Sequence, residues 1–98
     1  DDYELVGLRP LDPAVSFIAG AHFIPVGAPS TAENDEGWVT SVAYSPNLNT
    51  HIGLGYIRRG SKRHGDIVRS INLLGNQDIE VELTSPHFFD KKGTRLHG

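Results

Sequence analysis

Hydrophobic and polar residues alternate along several short segments of this chain, as they do in β-strands that bury one face. The clearest segment is 79–84, IEVELT, which alternates between the two classes throughout. Residues 3–8 are an apolar run of similar length that Pro10 follows, and residues 66–73 are a further predicted strand. No segment repeats its apolar residues with the helical period of about 3.6. The pattern therefore predicts strands and no amphipathic helix.

The centre of the chain predicts a β-hairpin. Residues 36–60 read EGWVTSVAYSPNLNTHIGLGYIRRG. Residues 38–44 form the first strand, residues 47–50 contain turn-forming asparagines, and residues 52–57 form the second strand of the hairpin. Gly53 and Gly55 share one face of the return strand, where glycine marks a bend or a close approach of another group. The hairpin should therefore curve tightly, as in a small barrel.

Turn-forming residues divide the rest of the chain into short pieces. Residues 22–24 are a further strand, and residues 27–36, GAPSTAENDE, are a surface loop. The chain has 98 residues, the size of one domain, and its 11 Gly and 6 Pro favour many turns over long helices. About six or seven short strands, at a spacing of roughly 8–12 residues, predict an all-β fold, either a Greek-key barrel or a sandwich.

Composition limits which partners and which cellular locations are expected for this chain. The net charge of −3 argues against a nucleic-acid partner, which would reward clustered Lys and Arg. No apolar run approaches the roughly 20 residues that span a bilayer, so no membrane partner is expected. The absence of Cys excludes disulfides and thiolate chemistry, and it fits a cytoplasmic location. The absence of Met, with Asp1 at the start, predicts that residues 1–98 are a single domain that forms part of a larger chain.

Candidate catalytic groups are scattered along the chain. The five histidines show no metal-ligand spacing, and no serine lies in a Gly-x-Ser-x-Gly elbow. These histidines are His22, His51, His64, His87 and His97. Glu80 and Glu82 occupy the polar face of an alternating strand, where solvated charge is the ordinary role. From the residues alone, the chain is a β-rich module with no autonomous catalytic site and no metal site.

Two local features are candidates for binding. Residues 58–65, RRGSKRHG, form a basic turn that could steer a polyanion such as a polyglutamylated or phosphorylated ligand, or could simply be a charged surface turn. Phe88 and Phe89 follow Pro86 and could stack on a flat heterocycle or plug one end of the barrel. Pattern alone favours the plug.

The order of several motifs resembles a known family. These motifs are LVGL at 5–8, GAHF at 20–23, the hairpin at 36–57 and VELTSPHFFDKKGTRLHG at 81–98. They resemble the C-terminal domain of aminomethyltransferases, which include the glycine cleavage T-protein and the folate-binding halves of sarcosine oxidase and dimethylglycine oxidase. The last of these motifs is most similar to the alpha subunit of heterotetrameric sarcosine oxidase.

The resemblance implies a six-stranded Greek-key barrel with a function in a larger enzyme. The barrel would help to form the tetrahydrofolate-binding part of an alpha subunit, in an enzyme that oxidatively demethylates sarcosine and passes the one-carbon unit to folate. FAD, FMN and NAD would lie elsewhere in the complex, and the partners would be the rest of the alpha chain and the other subunits. The alternatives are a stand-alone aminomethyltransferase, a dimethylglycine oxidase-like enzyme, or a non-catalytic subunit-docking barrel.

The resemblance also suggests roles for particular residues. It implies that His87, Phe88 and Phe89 face the folate ligand, while Trp38 and Tyr44 pack inside the barrel. The family has basic residues directly before Val-Gly-Leu, at its folate site. Here residues 2–5 read DYEL and contain no arginine, which is a departure from the family pattern. No residue of this chain is expected to be catalytic.

Overall fold

Six antiparallel strands close into a barrel in the computed structural model, which describes residues 2–15 and 17–87. The strands are β1 (Tyr3–Pro10), β2 (His22–Pro25), β3 (Gly37–Ser45), β4 (Thr50–Arg58), β5 (Ile67–Asn72) and β6 (Gln77–Thr84). Two 3-10 turns, Ala32–Asn34 and Gly60–Lys62, complete the regular structure of this part of the chain. None of its helical segments has the length and apolarity that crossing a bilayer requires.

The strand order is that of a Greek key. Around the barrel the order is β1-β4-β3-β2-β5-β6, and every neighbouring pair is antiparallel. The consecutive strands β2, β3 and β4 lie side by side, and β1, which reaches β2 through a long connection, returns beside β4. Pairing of β1 with β6, with Leu8 opposite Leu83, closes the barrel. The predicted six-stranded barrel is confirmed.

One face of each long strand supplies the barrel interior. Val6 and Leu8 of β1 are fully buried, as are Val81 and Leu83 of β6. The last two belong to the strictly alternating segment, so its predicted inward face is confirmed. Burying an aliphatic or aromatic side chain of this size contributes about 1.5–3 kcal/mol. The interior is therefore the main source of stability in the described residues.

Two phenylalanine rings fill the space beside the glycines of β4. A Cβ atom on Gly53 would lie 2.7 Å from Cε2 of Phe17, and one on Gly55 would lie 3.0 Å from Cζ of Phe23. Both rings are buried, with exposures of 2% for Phe17 and 0% for Phe23. The glycines therefore mark close approaches, as the pattern predicted, and the rings occupy the space that side chains on β4 would need.

The predicted positions of Trp38 and Tyr44 were wrong. Their exposures are 38% and 49%, so both lie on the outer face of β3. A register shift between Val39 and Ser41 inserts an extra residue into the strand. The core therefore receives Val39 and, after the shift, the partly buried Val42, so inward and outward side chains do not alternate regularly along β3.

Glycine at position 55 should be required for the fold. Gly55→Ala would place its Cβ 2.6 Å from the Trp38 carbonyl oxygen, a backbone atom that cannot move alone. We expect a loss of about 1–3 kcal/mol in the free energy of unfolding, the usual cost of overpacking. Urea denaturation followed by circular dichroism measures this loss.

Gly75→Ala is the matched control for that substitution. Gly75 lies in the β5–β6 turn, and its new Cβ would come no closer than 3.4 Å to a neighbouring side chain. Its unfolding free energy should stay within about 1 kcal/mol of the parent value. Equal urea midpoints for the two variants would contradict the close-packing account.

Candidate functional site

A ligand of this domain would bind on its outer surface, because side chains fill the interior. Phe17, Phe23 and Ile57 meet inside the barrel together with the aliphatic side chains of β1 and β6. Interiors of this kind are packed as densely as organic crystals. The features that could recognise a ligand are therefore loops, turns and the outward faces of strands.

One outer-surface groove lies between β2, the 27–36 loop and the turn after β5. Its volume is about 380 Å³. Ile24 and Ile71 form the floor of the groove. Both side chains are buried although they lie on the outer face of their strands, where the other residue on the same face is polar and exposed or half-buried. The other lining residues are Gly20, His22, Ser30, Thr31, Ala32, Asp35, Asn72, Leu73 and Leu74. Apolar atoms form most of the surface of the groove, and polar side chains lie among them.

A histidine–carboxylate pair is the polar centre of this groove. Nδ1 of His22 lies 2.7 Å from Oδ2 of Asp35. The other carboxylate oxygen, Oδ1, accepts the backbone N–H of Gly37 at 3.1 Å, which holds Asp35 in place. Such a partner sets the orientation and the tautomer of an imidazole. Within residues 2–15 and 17–87, no three His, Cys, Asp or Glu side chains come together as metal ligands.

Arg69 joins the loop wall of the groove to the barrel. Its Nη1 donates to the Ala28 carbonyl at 2.6 Å, and its Nη2 lies 3.3 Å from Oγ of Ser30. The same guanidinium pairs with Asp78 of β6, with Nη2 2.9 Å from Oδ2. The hydrogen bond from Arg69 lowers the pKa of the Asp78 carboxyl. The sequence pattern did not predict the contacts of Arg69 with Ala28 and Ser30, which lie 41 and 39 residues away along the chain.

Of the predicted ligand residues, the structure describes His87, which follows the C-terminal end of β6. His87 is exposed, its backbone N–H donates to Oγ of Ser85 at 3.1 Å, and its Nδ1 lies 3.3 Å from the same oxygen. Phe88 and Phe89 lie outside the described residues, so their ligand-facing role stays a prediction. The residues that line the groove all come before β6 in the sequence, whereas His87 comes after it. The groove and His87 are therefore separate sites.

The basic turn is only partly available to a ligand. Nη1 of Arg63 lies 2.6 Å from Oε1 of Glu36, and its Nε lies 3.1 Å from Oδ2 of Asp66. Burial alone would lower the pKa of the Arg63 guanidinium, but the hydrogen bonds to Glu36 and Asp66 outweigh it and raise the pKa. Arg63 is thus a structural residue. Arg59 and Lys62 remain exposed on the turn.

The segment before Val6 carries an acid where the resembled family carries bases. Oε1 of Glu4 accepts the backbone N–H of Ser61 at 2.7 Å. This bond lowers the pKa of the Glu4 carboxyl. The Asp2 carbonyl accepts the N–H of Arg59 at 2.9 Å, so the chain entering β1 is tied to the basic turn. The acid that departs from the family pattern, Glu4, therefore has a structural role, because it anchors the basic turn.

Comparison with known proteins gives one family across almost the whole chain. The family model for the glycine cleavage T-protein C-terminal barrel domain matches residues 4–90. The alpha subunit of sarcosine oxidase from Rhizobium meliloti (strain 1021) is 45% identical over 97 residues, which cover 99% of this chain. The same subunit from Corynebacterium sp. (strain P-1) is 33% identical over 100 residues, which cover 100% of this chain.

These relatives are much longer than the present chain. It spans 10% of the length of each of the two subunits. Among solved structures, the aminomethyltransferase T of the glycine cleavage system from Bartonella henselae superposes with a TM-score of 0.67 at 23% identity. That superposition covers 96% of this chain and 23% of the aminomethyltransferase. At this identity the likeness shows a shared barrel fold.

Acid should remove the contribution of the Arg69–Asp78 pair to stability. The ordinary pKa of this carboxyl is 3.8 and the barrel lowers it, so the pair stabilises the fold above that pH and is lost as the pH falls through the lowered value. Asp78→Asn should therefore reduce the urea midpoint at neutral pH. Well below pH 3.8 the two proteins should unfold at the same urea concentration.

Glu33→Gln is the control for the loss of one negative charge. Glu33 is exposed in the 27–36 loop, and it forms no ion pair within the described residues. The urea midpoint of the Glu33→Gln variant should equal that of the unmodified chain at every pH. A difference between Asp78→Asn and the unmodified chain that persists in acid would show that the ion pair is not the cause.

Proposed function

The chain belongs to the family of glycine cleavage T-protein C-terminal barrel domains, and from that premise we propose that it is the C-terminal barrel of a longer polypeptide, the alpha subunit of a sarcosine oxidase. The longer polypeptide is called the parent polypeptide below. The observation that carries the proposal is 45% identity to such a subunit along 99% of this chain. A chance similarity would be confined to part of the chain and would not extend over 99% of it.

In this proposal the parent polypeptide and its partner subunits oxidatively demethylate sarcosine. Tetrahydrofolate supplies the acceptor for the one-carbon unit, and FAD, FMN and NAD are held by other parts of the cytoplasmic complex. The barrel forms one wall of the folate cavity, where it positions the ligand and excludes water without taking part in bond chemistry. A filled barrel interior supports the role of a wall, because the ligand would have to lie against the outside.

The end of the barrel where β6 leaves fits a folate ligand in its chemistry. Leu83 exchanges backbone hydrogen bonds with Gly65 and Asp66, of 2.7 and 2.9 Å, so the basic turn and the exit of β6 share this end. The exposed imidazole of His87 offers hydrogen bonds to a heterocycle. Arg59 and Lys62, which are exposed on the turn, offer charge to the carboxylates of a glutamyl tail.

The alternatives receive less support from the same observations. A stand-alone aminomethyltransferase would have its best support in the Bartonella henselae enzyme, yet that likeness rests on 23% identity. A docking barrel that uses the basic turn would rely on the same exposed Arg59 and Lys62, and it has one cation fewer than the sequence suggests, because Arg63 is held by Glu36 and Asp66. Dimethylglycine oxidase-like chemistry has no separate observation in its favour.

Removal of the side chain of Phe88 or Phe89 should weaken folate binding by the parent polypeptide. Aromatic contacts are worth about 0.5–1.5 kcal/mol beyond burial, so Phe88→Ala and Phe89→Ala should each raise the dissociation constant for tetrahydrofolate by roughly 2- to 12-fold. His87→Ala should raise it too. Anaerobic calorimetric titration of the purified parent polypeptide measures the constant.

Tyr44→Ala is the matched control, because Tyr44 is an exposed aromatic at the β3–β4 turn, where no ligand is proposed. It should leave folate affinity unchanged, and circular dichroism should show intact folding of all four variants. Unchanged affinity in the His87, Phe88 and Phe89 variants would remove the proposed site. A source polypeptide no larger than 10.7 kDa would contradict the parent polypeptide itself.

A further inference from the structure

Three aromatic side chains form a cluster on the outside of the barrel. The ring of Trp38 lies between those of Tyr3 and Tyr56, with centroid separations of 5.1 and 5.8 Å. The guanidinium of Arg58 lies over the Tyr3 ring, 5.7 Å from its centroid. Together with Leu5 these residues are called the aromatic patch. It draws on three neighbouring strands, β1, β4 and β3.

The strand register makes the aromatic patch continuous. Tyr56 of β4 lies opposite Leu5 of β1 on one side and opposite Trp38 of β3 on the other. Tyr3 lies opposite Arg58 in the next row. The exposures of Leu5, Trp38 and Tyr56 are each 38%, so large parts of all three side chains face outward.

The composition of the aromatic patch is that of a protein interface. Trp, Tyr and Arg are enriched at the centres of interfaces and supply most of their binding energy. A contiguous apolar surface on a domain marks an interaction site more often than scattered exposed residues do. The rings are also held by strands and by one another, so little conformational entropy would be lost when a partner covers them.

We infer that the segment of the parent polypeptide that precedes the barrel packs on the aromatic patch. This inference rests on the proposed function in one respect, that the barrel is the C-terminal part of a longer chain. The relatives carry about nine tenths of their length outside the aligned stretch, since this chain spans 10% of them. In a C-terminal domain that extra chain enters at β1.

The entry point of β1 lies within the aromatic patch. Tyr3 is the first residue of β1 and a member of the patch. The hydrogen bond from the N–H of Arg59 to the Asp2 carbonyl, 2.9 Å long, holds the chain just before it. A preceding domain is therefore tethered next to this surface, and a short tether gives a high effective concentration for packing on it. A separate subunit has no such advantage.

Hydroxyl-radical footprinting with mass spectrometry tests this inference without any substitution. The 98-residue chain and the purified parent polypeptide are oxidised under the same conditions. Trp38 and Tyr56 should react several-fold more slowly in the parent polypeptide, because the preceding segment covers them. Tyr44, whose exposure of 49% is comparable, is the internal control and should react at the same rate in both.

A second measurement uses Trp38→Ser in the parent polypeptide, with Tyr44→Ser as the matched variant. Limited proteolysis should release the barrel about tenfold faster from the Trp38 variant, as expected when an anchor residue of an interface is lost. The Tyr44 variant should release it at the unmodified rate. Circular dichroism of both 98-residue variants checks that the barrel itself remains folded.

Equal oxidation of Trp38 in the two proteins would overturn the inference. Protection that appears only after other subunits are added would also overturn it, by assigning the patch to a subunit contact. If the parent polypeptide binds folate while the patch stays reactive, the interface fails and the proposed function stands. If the source makes no chain longer than 98 residues, both fail together.

Discussion

The packing of two phenylalanine rings against the glycines of β4 is the constraint on which this barrel depends. A six-stranded barrel has a narrow interior, and Phe17 and Phe23 fill it only because Gly53 and Gly55 leave their inner positions empty. The aliphatic side chains of β1 and β6 complete the packing of the interior. Since nothing else fits inside, every recognition property must lie on the outer surface of the domain.

Two arginines then decide how the outer surface is arranged. Arg69 holds the 27–36 loop over the outer face of β2 and β5, and so creates a groove beside the His22–Asp35 pair. Arg63 holds the basic turn against Glu36 and Asp66. In both cases a cation that looks free in the sequence is a structural link. The ligand-binding capacity of the surface is smaller than its formal charge suggests.

The resemblance to a family, and not the local pattern, decided between a barrel and a sandwich. Most strands could be predicted from the pattern itself, because strict alternation in β6 and the paired glycines of β4 each have a direct physical meaning. The inward side of β3 could not, since the extra residue between Val39 and Ser41 leaves no mark in the pattern. The His22–Asp35 pair and the contacts of Arg69 were also missed, because they join residues that only the fold brings together. Motif order identified the family, whereas the ligand role of Phe88 and Phe89 stays a prediction.

The outward position of Trp38 also determines what intrinsic fluorescence can reveal. It is the one tryptophan of the sequence, and it lies among tyrosines on the surface and not among the buried phenylalanines. Its emission therefore reports on the solvent and neighbours of the outer face of β3. A change in that emission would not by itself mean that the core has loosened, and an unchanged emission would not prove the core intact. In this barrel, tryptophan fluorescence reports on the surface, whereas far-ultraviolet circular dichroism reports on the fold.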